Sequence, residues 1–209
     1  MALELAPGVT LYFCRHGETR ANVEGRFQGW CKDTELTDKG REQAAIIGGI
    51  LAAARPDFSN LLYIASPLPR ARHTMEIIRG ELKLRPVDEF EVDARIAEIN
   101  LGSWDGLTDA EARALDPAAF DRRMNDKWDV HVPGGGENYA EVAARATEWA
   151  QGLCGDTFAV SHGALTRILR GLFAGMSWKQ MSDLDETQGV LYRVRGSEVV
   201  RLDAGANRS

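Results

Sequence analysis

Two histidine-glycine pairs, His16-Gly17 and His162-Gly163, each follow a short apolar run of the sequence. A neutral imidazole nitrogen can act as a nucleophile, and an imidazolium can bind a phosphate. Glycine after each histidine lets the chain turn sharply and lets backbone N–H groups approach an anion. A single pair of this kind more often only ends a strand. Two pairs at equivalent strand ends indicate an anion site.

Two arginines could join these histidines. Arg15 immediately precedes His16, and Arg70 lies in the segment 66–71, SPLPRA, just beyond another apolar run. The planar guanidinium group matches the oxygens of a phosphate. A solvated arginine in the first turn of a helix is the alternative for Arg70, and its neighbours in the sequence do not decide between the two.

Alternating strands and helices must position these residues. Apolar runs predict buried strands at 9–14, 61–65 and 157–161, and a hairpin over 190–194 and 198–202 around Gly196. Capping residues, proline and 3.6-residue spacing predict helices at about 37–56, 66–80, 137–150 and 163–172, with short helices after 108 and at 118–124. This pattern predicts an α/β fold, in which ligands bind beyond the carboxyl ends of the parallel strands.

The composition limits the class of protein. With 209 residues, 44% hydrophobic and 27% charged, the chain is expected to form one water-soluble domain over 1–209. A net charge of −6 argues against general nucleic-acid binding. Neither a secretory signal nor an apolar run of about 18 residues is seen, which favours the cytoplasm and no membrane contact. Cys14, Cys31 and Cys154 are expected to be reduced thiols.

Five elements, in order along the chain, resemble the histidine phosphatase superfamily, in its phosphoglycerate mutase-like group (branch 1 type, similar to the broad-specificity and α-ribazole phosphatases). The elements are 11–19 with Asn22, Arg26, Gln28 and Gly29; 66–71; 98–102 with Trp104 and Gly106; 135–137; and 160–163. Five ordered elements are far less plausible by chance than any one of them.

The resemblance implies a three-layer α/β/α sandwich with a mostly parallel central sheet. It implies that His16 is the nucleophile and that Glu98 is the proton donor to the leaving alkoxide, with a pKa raised by low solvation. The residues implied to hold the transferring phosphoryl group are Arg15, Arg70 and His162, the last in its protonated form. The residues implied to bind substrate are Asn22, Gln28, Gly29 and Gly163. These charges would stabilise the transferring group, so neither a metal nor another cofactor is expected.

Several further positions are weaker candidates. Phe27, Trp30, Met124 and Trp128 could line a leaving-group pocket, although aromatic residues at such spacings more often belong to a core. The pair Arg122-Arg123 could reach a second acidic group of the substrate or could be solvated. His73 stands where the family commonly has glutamine, and could contact substrate or a neighbouring loop.

A phosphatase that hydrolyses small phosphate monoesters is the favoured function. The section between Glu98 and Glu137 is compact, whereas cofactor-dependent phosphoglycerate mutases of this family are longer, with extra substrate-covering segments. Such a mutase is the first alternative, and a phosphate-binding regulatory module with little turnover is the second. The expected partner is a small phosphorylated substrate, and a homodimer is left open.

Overall fold

A computed structural model describes residues 2–30 and 35–204, whose centre is a six-stranded sheet. The strands are β1 (Thr10–Arg15), β2 (Leu62–Ala65), β3 (Glu91–Val92), β4 (Thr157–Ser161), β5 (Leu191–Arg195) and β6 (Glu198–Leu202). Their order across the sheet is β3-β2-β4-β1-β5-β6. The pairs β3-β2, β2-β4 and β4-β1 are parallel, and β5 runs antiparallel to both β1 and β6. The sheet is therefore mostly parallel, as expected.

Helices connect these strands. They are α1 (Arg20–Val23), α2 (Asp38–Ala54), α3 (Pro69–Glu81), α4 (Asp109–Leu115), α5 (Pro117–Asn125), α6 (Tyr139–Gln151), α7 (Gly163–Phe173) and α8 (Trp178–Ser182). Short 3₁₀ segments occupy Phe58–Asn60, Ala94–Ile96 and Gly102–Trp104. No helix within the described ranges is long and apolar enough to cross a membrane.

The alternation of side chains along β1 explains the three layers. Leu11 and Phe13 face one side of the sheet, where they join a buried cluster with α6 and α7. Tyr12 and Cys14 face the other side and pack with α2 and α3. Because both faces of β1 are covered, every residue of the strand before Arg15 is buried. The three-layer α/β/α sandwich is confirmed.

Local sequence accounts for most helix starts. The Thr37 hydroxyl accepts a hydrogen bond from the Gly40 N–H at the start of α2, and Thr108 and Asn138 form capping boxes at the starts of α4 and α6. The third predicted helix begins later than expected, at Pro69 instead of Ser66, because Pro69 occupies the first helical position and the residues before it are extended.

All of the predicted strands and helices are present, with ends shifted by at most three residues. The hairpin around Gly196 and the two short helices between 108 and 125 are confirmed. The sequence reasoning missed α1, α8 and the two-residue strand β3. Cys14 is a buried free thiol and Cys154 an exposed one, as expected, whereas Cys31 lies outside the described residues.

Candidate active site

Three neighbouring parallel strands end at the same edge of the sheet, and a polar residue follows each of them. The backbone N–H of His16, after β1, donates to the Ser161 carbonyl at the end of β4, with an N···O distance of 2.8 Å. The N–H of Ser66, after β2, donates to the Val160 carbonyl at 3.0 Å. These bonds continue the sheet and fix the relative heights of the strand ends. Segments separated by up to 146 residues therefore meet at one site.

His16 is buried with one ring nitrogen engaged. Its Nδ1 lies 2.8 Å from the Gly17 carbonyl, so Nδ1 carries the proton and donates it there. Its Nε2 accepts a hydrogen bond from the Arg70 Nε–H at 3.3 Å, which places a lone pair on Nε2. Burial, followed by the charges of Arg70 and Arg15, holds the pKa of His16 well below its usual value. The imidazole is therefore neutral at pH 7.

Arg70 lies beside His16, in the first turn of α3, and is 1% exposed. Its Nη2 donates to the backbone carbonyls of Gln28 and Gly29, both at 3.0 Å. The loop after β1 therefore fixes the guanidinium group against the ring of His16. The structure places Arg70 in the site, and the solvated alternative is wrong.

His162 follows β4 and is completely buried, with its ring centroid 5.2 Å from that of His16. Its Nε2 lies 2.6 Å from the Ser66 hydroxyl oxygen, and its Nδ1 is buried with no hydrogen-bond partner among the described residues. Burial and the charges of Arg70, His16 and Arg15 hold the pKa of His162 well below its usual value. Burial therefore favours the neutral form of His162. The protonated form was expected for the site with a phosphoryl group bound, and that expectation stays a prediction.

Arg15 ends β1 and contacts the segment between α8 and β5. Its Nη1 donates to the Glu186 carbonyl at 2.6 Å and lies 3.6 Å from the carboxylate Oε2 of the same residue. The Arg15 Nε is buried and has no partner among the described residues. A buried N–H donor without a partner is costly, and a ligand anion would satisfy it.

Glu98 is 8% exposed and lies at the same edge. Its Oε1 accepts a hydrogen bond from the Ile99 N–H at 3.0 Å. Burial is the main cause that raises the pKa of Glu98, and the negative charge of Glu186 raises it further. The Glu98 carboxyl is therefore more readily protonated than an ordinary glutamate, as a proton donor requires.

The segment that carries Glu98 is braced by the fourth element of the resemblance, 135–137. Arg145 of α6 donates to the backbone carbonyls of Ala97 at 2.8 Å and Glu98 at 3.1 Å, and forms an ion pair with Glu137 at 3.0 Å. Gly102 has φ +47°, and a Cβ atom there would lie 2.2 Å from the Pro133 carbonyl oxygen. Glycine at 102 therefore allows the two loops to pack closely.

A cavity of about 310 Å³ opens in front of His16 and Glu98. Its apolar wall is formed by Phe27, Leu101, Trp104, Met124 and Ala164. Its charged and polar lining is formed by Arg15, His16, Asn22, Arg26, Gln28, Glu98, Arg123, Lys127, Tyr139, Arg167 and Glu186. The buried imidazole of His16 thus lies at a mixed pocket that is large enough for a small organic group.

The four predicted substrate contacts differ in position. Asn22 and Gln28 line the cavity, and Asn22 Oδ1 accepts bonds from the Thr19 N–H and the Gln188 side-chain amide, which leaves its own amide N–H groups for a ligand. Gly29 instead holds Arg70 through its carbonyl. Gly163 begins α7 next to Arg15, to whose guanidinium carbon a Cβ atom would lie 3.3 Å away.

Two of the four candidates for a leaving-group pocket, Phe27 and Met124, line the cavity. Trp128 packs against the buried cluster that contains α6 and α7, so the core alternative is correct for it. Trp30 is 46% exposed, does not line the cavity and donates its indole N–H to the Glu98 carbonyl. His73 is exposed on α3.

Arg123 of α5 lines the cavity, whereas Arg122 is exposed. The guanidinium carbon of Arg123 lies 5.0 Å from the ring centroid of Tyr139, and its Nε and Nη1 are buried without a partner among the described residues. Burial lowers the pKa of Arg123. Lys127 lies in the same cavity, and its pKa is lowered by burial and then by the charges of Arg167 and Arg123.

Sequence reasoning missed the contribution of the segment 183–190. Gln188 donates to the His16 carbonyl at 3.1 Å, and Glu186 contacts both Arg15 and Arg167. The segment carries neither a strand nor a helix pattern, so only its contacts with residues about 170 positions earlier reveal its place. Arg167 was also missed, although α7 was predicted, because the sequence does not show which face of the helix meets the cavity. Lys127 lies outside the predicted elements and was missed as well.

Comparison with known proteins agrees with this geometry. The profile of the histidine phosphatase superfamily (branch 1) matches residues 11–199. A glucosyl-3-phosphoglycerate phosphatase from Mycolicibacterium vanbaalenii is 35% identical over 179 residues, which cover 79% of this chain and 74% of that protein. A 2,3-bisphosphoglycerate-dependent phosphoglycerate mutase from Beijerinckia indica is 29% identical over 199 residues, covering 91% and 94%. The chain belongs to the histidine phosphatase superfamily.

A solved structure shows the same fold. A mycobacterial glucosyl-3-phosphoglycerate phosphatase in complex with VO3 is 28% identical, has a TM-score of 0.72, and is aligned over 95% of this chain and 100% of its own. The relatives are phosphatases and phosphoglycerate mutases, so this chain is an enzyme of that superfamily. Within residues 2–30 and 35–204, no group of three or more His, Cys, Asp or Glu side chains could hold a metal ion.

Proposed function

We propose that this enzyme is a phosphatase that hydrolyses small phosphate monoesters through a phosphohistidine on His16. The observation that carries the proposal is the state of the His16 ring. Its Nδ1 proton is held by the Gly17 carbonyl, and its Nε2 lone pair lies at the guanidinium of Arg70, beside the cavity. A neutral nitrogen next to fixed positive charge is the arrangement that attack on a phosphate requires.

In the first step, His16 Nε2 attacks phosphorus in line with the ester oxygen. The new N–P bond forms as the P–O bond to the leaving group breaks, and protonated Glu98 gives its proton to the departing oxygen. Arg15 and Arg70 bind the phosphoryl oxygens, and the Nδ1–H of His162 donates to one of them. A bound phosphate dianion adjacent to His162 would also raise the pKa of that imidazole from the low value set by burial.

In the second step, water attacks the phosphohistidine. Glu98, now a carboxylate, takes a proton from the water as the new P–O bond forms and the N–P bond breaks. The products are inorganic phosphate and neutral His16, and Glu98 is again protonated for the next cycle.

A mutase would use the same first step but return the phosphoryl group to its retained product. We favour hydrolysis for two reasons. The phosphatase from Mycolicibacterium vanbaalenii is 35% identical to this chain and the Beijerinckia indica mutase 29%, and the section between Glu98 and Glu137 is compact. A phosphoglycerate mutase remains the second candidate, since the mutase from Beijerinckia indica matches over 91% of this chain. A test with 3-phosphoglycerate distinguishes them. Release of inorganic phosphate supports hydrolysis, and formation of the 2-isomer with little phosphate release contradicts it.

The leaving group is proposed to carry a second acidic group. Arg123 has two buried N–H groups without partners among the described residues, and Lys127 lies beside it. The phosphatase relative is named for a phosphoglycerate, which has a carboxylate. A panel of monoesters with and without a carboxylate, assayed with a metal chelator present, tests this substrate class. Arg123→Met should raise KM for the carboxylated esters only.

Covalent labelling tests the mechanism itself. Brief incubation with a ³²P-labelled monoester should leave acid-labile, base-stable phosphate on His16. His16→Ala should lose both the label and the turnover. The phosphohistidine mechanism would be refuted if wild-type protein carried no label after this incubation and His16→Ala kept full turnover.

A further inference from the structure

A carboxylate from the segment 183–190 joins two arginines of the cavity. Glu186 Oε1 lies 2.8 Å from Arg167 Nη2, and its Oε2 lies 3.6 Å from Arg15 Nη1. The backbone carbonyl of Glu186 also accepts the 2.6 Å hydrogen bond from Arg15 Nη1. One residue thereby connects the arginine beside His16 to an arginine of α7.

The neighbouring chain leaves room for this carboxylate. At Gly163, the first residue of α7, a Cβ atom would lie 2.5 Å from Glu186 Oε2, so a larger residue would displace the carboxylate. The start of α7 also carries the positive end of the helix dipole, which favours a negative charge. The place of Glu186 is therefore determined by backbone geometry as well as by the two arginines.

The segment is fixed on both sides of Glu186. Asp185 forms an ion pair with Arg170 of α7 at 2.6 Å. On the other side, Gln188 donates to the His16 carbonyl at 3.1 Å and to Asn22 Oδ1 at 3.0 Å. These contacts hold the carboxylate inside the cavity, where 30% of its side chain stays exposed.

We propose that Glu186 is a positioning residue of the phosphoryl-transfer site, which holds Arg15 in place while its negative charge limits how tightly the site retains phosphate. This inference rests on the proposed function. The Arg15 guanidinium would bind the phosphoryl group, and a carboxylate 3.6 Å away offsets part of its attraction for a phosphate dianion. A hydrolase benefits, because inorganic phosphate must leave after each cycle.

A second effect follows from the same charge. Glu186 and Glu98 line one cavity, and after burial the charge of Glu186 is the next cause that raises the pKa of Glu98. Removal of the Glu186 charge should therefore make Glu98 lose its proton at a lower pH. A purely structural role for Glu186 predicts neither effect.

Glu186→Gln tests the proposal, because the amide keeps the size of the side chain and an oxygen for Arg167 but removes the charge. The inhibition constant of inorganic phosphate should fall on the order of tenfold, or about 1.4 kcal/mol. This lies between the interaction of two charges a few ångströms apart in bulk water and the same interaction near a protein surface. The basic limb of kcat/KM should also move to lower pH. Phosphate inhibition is measured with a chromogenic monoester. The pH profile is measured with an alkyl phosphate, whose leaving group needs the Glu98 proton.

Two control variants separate charge from structure. Glu186→Asp keeps the charge and should keep the phosphate inhibition constant within about threefold of wild type. Glu148→Gln also replaces a carboxylate by an amide, but outside the cavity, where Glu148 forms an ion pair with Arg95 at 3.2 Å. Its phosphate inhibition constant should match that of wild type. If Glu186→Gln fails to fold by thermal unfolding, Glu186→Ser provides a second uncharged variant with the same expected tightening.

An unchanged or weaker phosphate inhibition in the uncharged variants, or equal inhibition in Glu186→Gln and Glu186→Asp, would overturn the proposal. The label on His16 identifies which idea has failed. If wild-type protein forms no phosphohistidine, the proposed function fails. If wild type is labelled but the Glu186 variants show no change in phosphate inhibition, only the role of Glu186 fails.

Discussion

The hydroxyl of Ser66 offers the sharpest test of the site, because it contacts His162 and does not line the cavity. Ser66 is completely buried, and its Oγ accepts a bond from the Leu68 N–H at 3.3 Å and lies 2.6 Å from His162 Nε2. We assign the hydroxyl proton to the bond with Nε2. The proton of the neutral ring then sits on Nδ1, which has no partner among the described residues. In the proposed mechanism, Ser66 therefore leaves the Nδ1–H of His162 to donate to the phosphoryl group.

Ser66→Ala removes both bonds and leaves Nε2 of His162 buried without its donor. The expected cost is about 1–3 kcal/mol in the free energy of unfolding, for a buried polar group left unpaired. For a protein of this size, each kcal/mol corresponds to about 2–4 °C in Tm. The tautomer of His162 is no longer fixed, so kcat/KM should fall about 10–100-fold, by analogy with the loss of a partner that orients a metal-ligating imidazole.

Ser161→Ala is the matched control, because Ser161 is also buried and its Oγ donates a single bond, at 2.7 Å, to the Ile96 carbonyl. It should lose a similar amount of stability and keep kcat/KM within about threefold of wild type, which corresponds to less than 1 kcal/mol in the barrier. Thermal unfolding and steady-state assays of the two variants are compared directly. Equal kcat/KM values in the two would refute the role assigned to Ser66.

Three further predictions concern the titrating groups. Glu98→Gln should lower kcat/KM for alkyl phosphates about 10²–10⁴-fold, and much less for p-nitrophenyl phosphate, whose leaving group needs no proton; equal losses for both esters would contradict the proton-donor role. The pH profile of kcat/KM should have an acid limb well below the usual histidine pKa, because burial lowers that of His16, and a basic limb above the usual glutamate pKa, because burial raises that of Glu98. An acid limb near 6.5 would argue against a buried neutral nucleophile. Finally, stability should fall as the pH drops below about 6.5, because the imidazoles of His16 and His162 bind protons there only in the unfolded chain. Thermal unfolding of His162→Asn should show a shallower loss, and an unchanged slope would contradict it.

The sequence was sufficient to predict the framework of the site. Three apolar runs that end in polar residues predicted β1, β2 and β4, and the parallel order of these strands brings His16, Ser66 and His162 to one edge. The expectation of three layers, with helices on both faces of the sheet, came from the resemblance to the superfamily. Each of these inferences depends on local patterns that burial on both faces imposes on a strand.

Other features could not be predicted, for physical reasons. The strand β3 has only two residues, both exposed, so it carries no apolar pattern. Glu186 acts through partners that are distant in the sequence, and its neighbours form no regular element. The neutral form of His162 depends on burial and on nearby guanidinium charges, and neither can be measured from residue types alone. Residue type alone did not separate the aromatic residues that line the cavity, such as Phe27, from Trp128, which packs against the core.

The position of β1 in the sheet has a consequence for synthesis on the ribosome. Both neighbours of β1, the strands β4 and β5, come from the last third of the chain, and the first of these pairings joins Leu11 to Thr157. At a synthesis rate of about 5–20 residues per second, the apolar strand β1 leaves the ribosome many seconds before its partner strands. A stalled chain shorter than about 157 residues should therefore bind no phosphate, whatever its helical content.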